Sequence, residues 1–153
     1  MTPVHATAHP SPPGPHGSEV YRLALPNTSC AAKVSRDFVS SLLTVSRHAE
    51  LVDDARLCVT EVVANAHRHT GTPLIRVHVG VRRGRVTVSV ADDDHWALPM
   101  APCSRADRSG SEGGRGLLLV ERVAFAWGTR VLGGGMPYRK AVWFTLVRAG
   151  AAP

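Results

Sequence analysis

Three groups of residues in this sequence have the types and spacing that chemistry needs. Glu61, Asn65 and His69 recur at intervals of four. At 3.6 residues per turn, that spacing sets a carboxylate, a carboxamide and an imidazole on one slowly drifting face of a helix. Asparagine is a poor mid-helix residue, because its side chain competes for backbone hydrogen bonds, so its presence there calls for a local reason. Asp92 closes a valine-rich run and is followed by Asp93 and Asp94. A carboxylate at a strand end can accept a hydrogen bond from an exocyclic amine, though three aspartates can also do no more than end a strand. Gly113, Gly114, Arg115 and Gly116 stand directly before an apolar run that begins at Leu117. Glycines there let backbone N–H groups approach an anion at the positive end of a helix, a geometry that favours phosphate.

The elements that must position these groups are readable from periodicity. Val20, Leu23 and Leu25 predict a short edge strand that stops at Pro26. Val34, Phe38, Val39, Leu42 and Leu43 predict an amphipathic helix capped by Thr28 or Ser29. A longer helix is predicted from about Ala49 to Arg68, with Leu51, Val52, Ala55, Cys58, Val59, Val62, Val63 and Ala66 as its buried stripe and Gly71 as its stop signal. Two antiparallel strands alternate about a turn at Gly84, where Arg82, Arg83 and Arg85 read as a solvated cluster. Residues 92–113 lack periodicity and are long for a connection, so they read as a lid. A short helix from Leu117 to about Ala124 and strands over 126–132 and 141–147 complete the order.

That order suits an α+β, two-layer sandwich: a mixed, mostly antiparallel sheet with helices on one face. A doubly wound nucleotide fold would need regular strand–helix alternation and a glycine-rich first turn, and GxxxxGK[ST] and GxGxxG are both absent. With 153 residues, 44% of them hydrophobic and 20% charged, one domain with a core is expected. Residues 1–17 hold five of the prolines with His5, His9 and His16 and are expected to be a disordered tail; 18–148 form the domain and 149–153 a second short tail. No apolar run reaches the ~18 residues needed to span a bilayer and no secretory signal pattern opens the chain, so a cytoplasmic protein without membrane contact is expected. Cys30, Cys58 and Cys103 have no CxxC spacing, and Cys30 and Cys58 read as core thiols. The net charge of +6 is scattered and by itself names no partner.

The ordered set resembles the GHKL ATPases, the superfamily of gyrase, the ninety-kilodalton heat-shock chaperone and the sensor histidine kinases. Glu61-Val-Val-Ala-Asn65-Ala-His-Arg-His69 looks like the N box, Asp92 like the aspartate of the first glycine box, and Gly114-Arg-Gly116-Leu117 like the second glycine box. Trp127-Gly128 and Lys140-Ala-Val-Trp143 strengthen a likeness to the small anti-sigma-factor serine/threonine kinases, over about Ser18 to Val147. The resemblance implies a Bergerat-type fold binding ATP and Mg2+. It implies Asn65 as the metal ligand, Glu61 as catalytic base, Asp92 on the adenine amino group, and Gly114, Arg115, Gly116 and Leu117 along the phosphates. It also implies a sigma factor and an anti-anti-sigma-type antagonist as partners, possible homodimerisation, and no direct contact with nucleic acid. Asp93, Asp94, His95 and Trp96 follow Asp92 where the family usually continues with glycine. Glu112 and Gly113 stand where some relatives place a basic residue; Arg115 and Arg108 are the cations at hand. The expected function is an anti-sigma-like kinase that switches partners, with a nucleotide-controlled binding module lacking kinase activity as the alternative.

Overall fold

The computed structural model of the chain describes residues 18–92, 112–132 and 139–151. The expected tail over 1–17, the lid residues 93–111 and Cys103 lie outside the described residues. The elements run β1 (Glu19–Pro26), α1 (Ala31–Val45), a 3-10 turn (Ala49–Leu51), α2 (Val52–His69), β2 (Leu74–Arg82), β3 (Arg85–Asp92), α3 (Glu112–Val123), β4 (Ala126–Leu132) and β5 (Arg139–Val147). The five strands form one sheet in the order β1-β2-β3-β5-β4. All four pairings are antiparallel, which narrows the expected mixed sheet.

Period-two alternation sorts each strand into a core face and an outer face. Ile75, Val77, Val79 and Val81 of β2, Val86, Val88 and Val90 of β3, and Val142, Phe144 and Leu146 of β5 are buried in one cluster with residues of all three helices. On β1 the inward parity is Tyr21, Leu23 and Leu25, so Val20 faces outward and is 53% exposed. Arg83 and Gly84 make the β2–β3 turn, with Gly84 at φ +71; a side chain there would be strained and would meet Ala151 Cβ at 2.8 Å.

Neither α1 nor α2 begins with a side-chain cap. The expected cap Thr28 instead accepts a bond from the Cys30 N–H at 3.3 Å, one residue ahead of the helix. Cys30 is therefore exposed rather than a core thiol, whereas Cys58 is buried. Burial, with the charges of Asp54 and Glu61, pushes the Cys58 thiol up to about 12. Packing holds both helices: α1 buries Ala31, Ser35, Val39 and Leu43, leaving Val34 outside, and α2 buries Ala55, Cys58, Val59, Val62, Val63 and Ala66. The acidic first turn (Asp53, Asp54) and basic last turn (His67, Arg68, His69) of α2 suit its dipole. Gly71 does not stop α2. Thr70 turns extended at φ −130, ψ 148, and its hydroxyl donates back to the Ala66 carbonyl at 2.7 Å. Asn27 then pins the exit by donating to the Thr72 carbonyl (2.8 Å) while its own oxygen lies 2.7 Å from His67 Nδ1.

Candidate functional site

The face of α2 turned away from its valine stripe carries Glu61 and Asn65, both half-buried, and ends in the exposed His69. Among the described residues neither the Glu61 carboxylate nor the Asn65 amide has a hydrogen-bond or ion-pair partner, although polar groups at that depth usually find one. α3 packs beside this face. Its start differs from expectation: the helix begins at Glu112, so Gly113, Gly114, Arg115 and Gly116 form its opening turns rather than a loop before it. Gly116 explains the close approach. A Cβ on Gly116 would stand 2.5 Å from Glu61 Oε2 and 3.4 Å from Glu61 Cβ and Cδ, so only glycine leaves the carboxylate where it is. Leu117 and Val120 are buried and anchor α3 to the core, which leaves Leu117 only its backbone to offer a ligand.

Asp92 ends β3 opposite Lys140 of β5, with Nζ 3.8 Å from Oδ2 and both side chains 3% exposed. This pair lies at the end of the sheet where α2 exits. Ala91 pairs with Arg76, two residues beyond the start of β2, and only four residues separate His69 from Leu74. Glu61, Asn65 and Gly116 are thus brought into one neighbourhood, and Asp92 is placed at the same end of the molecule with a buried cation facing it. Lys140 entered the sequence reading only as part of a likeness. A sharper signal was present: Asp92 follows Val86, Val88 and Val90 on the inward parity of β3, and Lys140 precedes Val142, Phe144 and Leu146 on that of β5. Parity marks both charges as buried, and the β3–β5 register then brings them together. Trp143 and Gly128, the other residues of that likeness, touch: the indole edge would be 3.0 Å from a Cβ on Gly128, and Arg130 stacks 5.9 Å from the ring.

The donor set suits a hard divalent cation beside phosphate. A carboxamide oxygen and a carboxylate stand free one turn apart, and Gly116 keeps the adjoining space clear. A magnesium ion retains most of its waters and asks for few protein ligands, and among the described residues no cluster of three or more His, Cys, Asp or Glu forms. The family model of the histidine kinase-like ATPase domain matches residues 25–128. The chain belongs to this family. Those residues contain Glu61, Asn65, Asp92 and Gly116; Lys140 falls beyond them. A histidine kinase-like ATPase domain therefore occupies most of the chain. Among solved structures it is similar to the crystal structure of the RsbU and RsbW domains of Rv1364c from Mycobacterium tuberculosis, with TM-score 0.57 and 18% identity. That match covers 84% of this chain and 32% of the other, so this chain spans about a third of that structure's length. No curated protein matches the sequence. Among the described residues no helix is long and apolar enough to cross a membrane.

Proposed function

We propose that this domain binds ATP with Mg2+ and acts as an anti-sigma-factor-like serine/threonine protein kinase, regulating transcription by switching between a sigma factor and an antagonist protein. One observation carries the reading: Glu61 and Asn65 lie half-buried and partnerless on one face of α2, with Gly116 of α3 held against the carboxylate. Magnesium, when bound, neutralises charge on the phosphates. Asn65 offers its amide oxygen to that ion. The backbone of Gly114, Arg115, Gly116 and Leu117, at the positive end of α3, lies along the phosphates. Asp92 accepts the adenine amino group, its charge held in place by Lys140. Glu61 takes the proton from an incoming serine hydroxyl as that oxygen attacks the terminal phosphorus of ATP, whose bond to the bridging oxygen breaks so that ADP leaves with that electron pair. The domain spans 18–148 in this reading.

Calorimetry and radiolabel transfer on the full chain test it. Asn65→Ala weakens Mg-ATP binding by about 10- to 100-fold, the loss of one charge-assisted contact, with the fold intact by circular dichroism. Glu61→Ala keeps ATP affinity but slows transfer to a serine of the protein captured by pull-down by about 10²- to 10⁴-fold. Undiminished ATP binding in Asn65→Ala removes the site assignment. ATP-dependent capture without any transfer supports the nucleotide-controlled binding module instead.

A further inference from the structure

The opposite end of the sheet, closed by the Arg83–Gly84 turn, carries two adjoining clefts. One, of about 440 Å³, is lined chiefly by Glu19, Arg47, His48, Arg82, Arg83 and Arg148. The other, of about 350 Å³, shares Glu19, Val81 and Arg82 with the first and adds Arg85. Arg85 and Asp92 are seven residues apart on β3, which at ~3.3 Å per residue separates this groove from the Asp92 end of the sheet by roughly 23 Å. It is a different place from the ATP site and does not depend on that reading.

Arg47, Arg82, Arg83 and Arg148 line the larger cleft, from the end of α1, the β2–β3 turn and the residue after β5, while Arg85 lines the smaller one from the outward parity of β3. Among the described lining residues the one carboxylate, Glu19, already accepts a bond from the Tyr21 hydroxyl. The groove is held in shape from below. His48 is buried with its Nδ1 2.8 Å from the Ser46 carbonyl and its Nε2 3.0 Å from the Arg82 carbonyl. The Arg148 N–H donates to the Gly84 carbonyl at 2.8 Å, and its guanidinium donates to the Arg47 carbonyl at 2.7 Å and pairs with Glu50. Arg47 adds an independent sign. It sits at φ 62, just past the end of α1, where the His48 N–H bonds the Leu43 carbonyl (2.8 Å) and the Arg47 N–H the Thr44 carbonyl (3.4 Å). Glycine takes that left-handed position without strain, and an arginine there keeps an exposed side chain at the groove against the backbone's preference.

We propose that this groove binds an acidic segment of a partner protein, with carboxylates on the guanidinium groups of Arg47, Arg82 and Arg83. Guanidinium forks match carboxylates two bonds at a time, and three arginines around a cleft of about 440 Å³ suit several carboxylates of one chain segment better than a single ion. Bases would need a stacking surface, but Phe125, the exposed ring beside Arg85, carries that guanidinium over it at 5.8 Å.

Fluorescence anisotropy of a labelled oligoglutamate peptide on the full chain, at physiological ionic strength, tests the proposal. The peptide binds the natural chain. Arg47→Gly with Arg83→Ser weakens it about tenfold or more, the loss of two ion pairs, while the melting temperature holds or rises because glycine relieves the left-handed backbone. Arg56→Ser, which removes one exposed charge from α2, leaves affinity unchanged. The proposal falls if the peptide does not bind, if the double variant binds it as well as the natural chain does, or if Arg56→Ser weakens it equally. It also falls if a labelled single-stranded oligonucleotide of matched charge binds more tightly and is lost in the same double variant, since the groove would then serve nucleic acid.

Discussion

At the end of the sheet closed by Gly84, buried polar groups are used up within the chain. His48 lies between two backbone carbonyls, Arg148 binds the Gly84 and Arg47 backbone, and the Thr87 and Thr145 hydroxyls bond each other at 2.9 Å. At the α2 end, Glu61 and Asn65 keep their polar atoms free among the described residues, beside a glycine that holds space open. Burying a polar group without a partner is unfavourable by about 1–3 kcal/mol, so the second arrangement persists where something outside the chain takes up those atoms. The unsatisfied pair on α2 marks the candidate ligand face; two fully buried atoms without a partner among the described residues, Ser35 Oγ and Arg36 Nε, lie on α1 instead. The Asp92–Lys140 pair stands between the two cases, being satisfied within the chain yet set at the ligand end.

That pair gives the largest predicted effect. Lys140→Met leaves the Asp92 carboxylate buried without its cation and is expected to lower stability by about 3–5 kcal/mol in urea unfolding. Adding Asp92→Val should recover most of that loss, because apolar residues of similar size replace a buried ion pair at little net change. If Asp92 also reads a ligand amine, the recovered double variant still binds ATP poorly by calorimetry. Full ATP affinity in the double variant would move Asp92 to the scaffold side of the comparison.

What could be read from the sequence follows the same division. The order of the eight main elements, the valine stripe of α2 and the Gly84 hairpin all rest on local patterns, periodicity and turn chemistry, and they stand as expected. The opening of α3 was hidden because Gly113, Gly114 and Gly116 each disfavour helix by about 1 kcal/mol, and only packing on α2 overrides that. Cys30 was placed inside on residue type, and its position at the start of α1 puts it outside. The Asp92–Lys140 contact needed the β3–β5 pairing, and the groove needed Arg47 and Arg148, which meet from 101 residues apart. Glu61, Asn65 and Gly116 were legible as types and spacing; that the glycine presses on the acid was not.

A middle-sized effect probes the satisfied end. His48→Ala removes the buried imidazole whose ring nitrogens contact the Ser46 and Arg82 carbonyls and is expected to destabilise the fold by about 1–3 kcal/mol by thermal or urea unfolding. Mg-ATP affinity should not change, since this residue belongs to the scaffold. A drop in ATP affinity at full folding would break the division between the two ends.

Gly116→Ala gives the smallest effect on stability and the sharpest one on function. On an isolated helix the change is favourable by about 1 kcal/mol. Here the new Cβ meets Glu61 Oε2 at 2.5 Å, but that atom is the far end of a side chain free of partners, so the carboxylate can swing aside. Helix gain and displacement then roughly cancel, and the melting temperature should stay within a few degrees, about what 1 kcal/mol produces. What is lost is the placement of the carboxylate: phosphoryl transfer should fall toward the level of Glu61→Ala while ATP binding is largely kept. A variant that melts as the natural chain does but transfers phosphate at the natural rate would show that the glycine serves helix packing alone, with Glu61 free to find its working position from elsewhere.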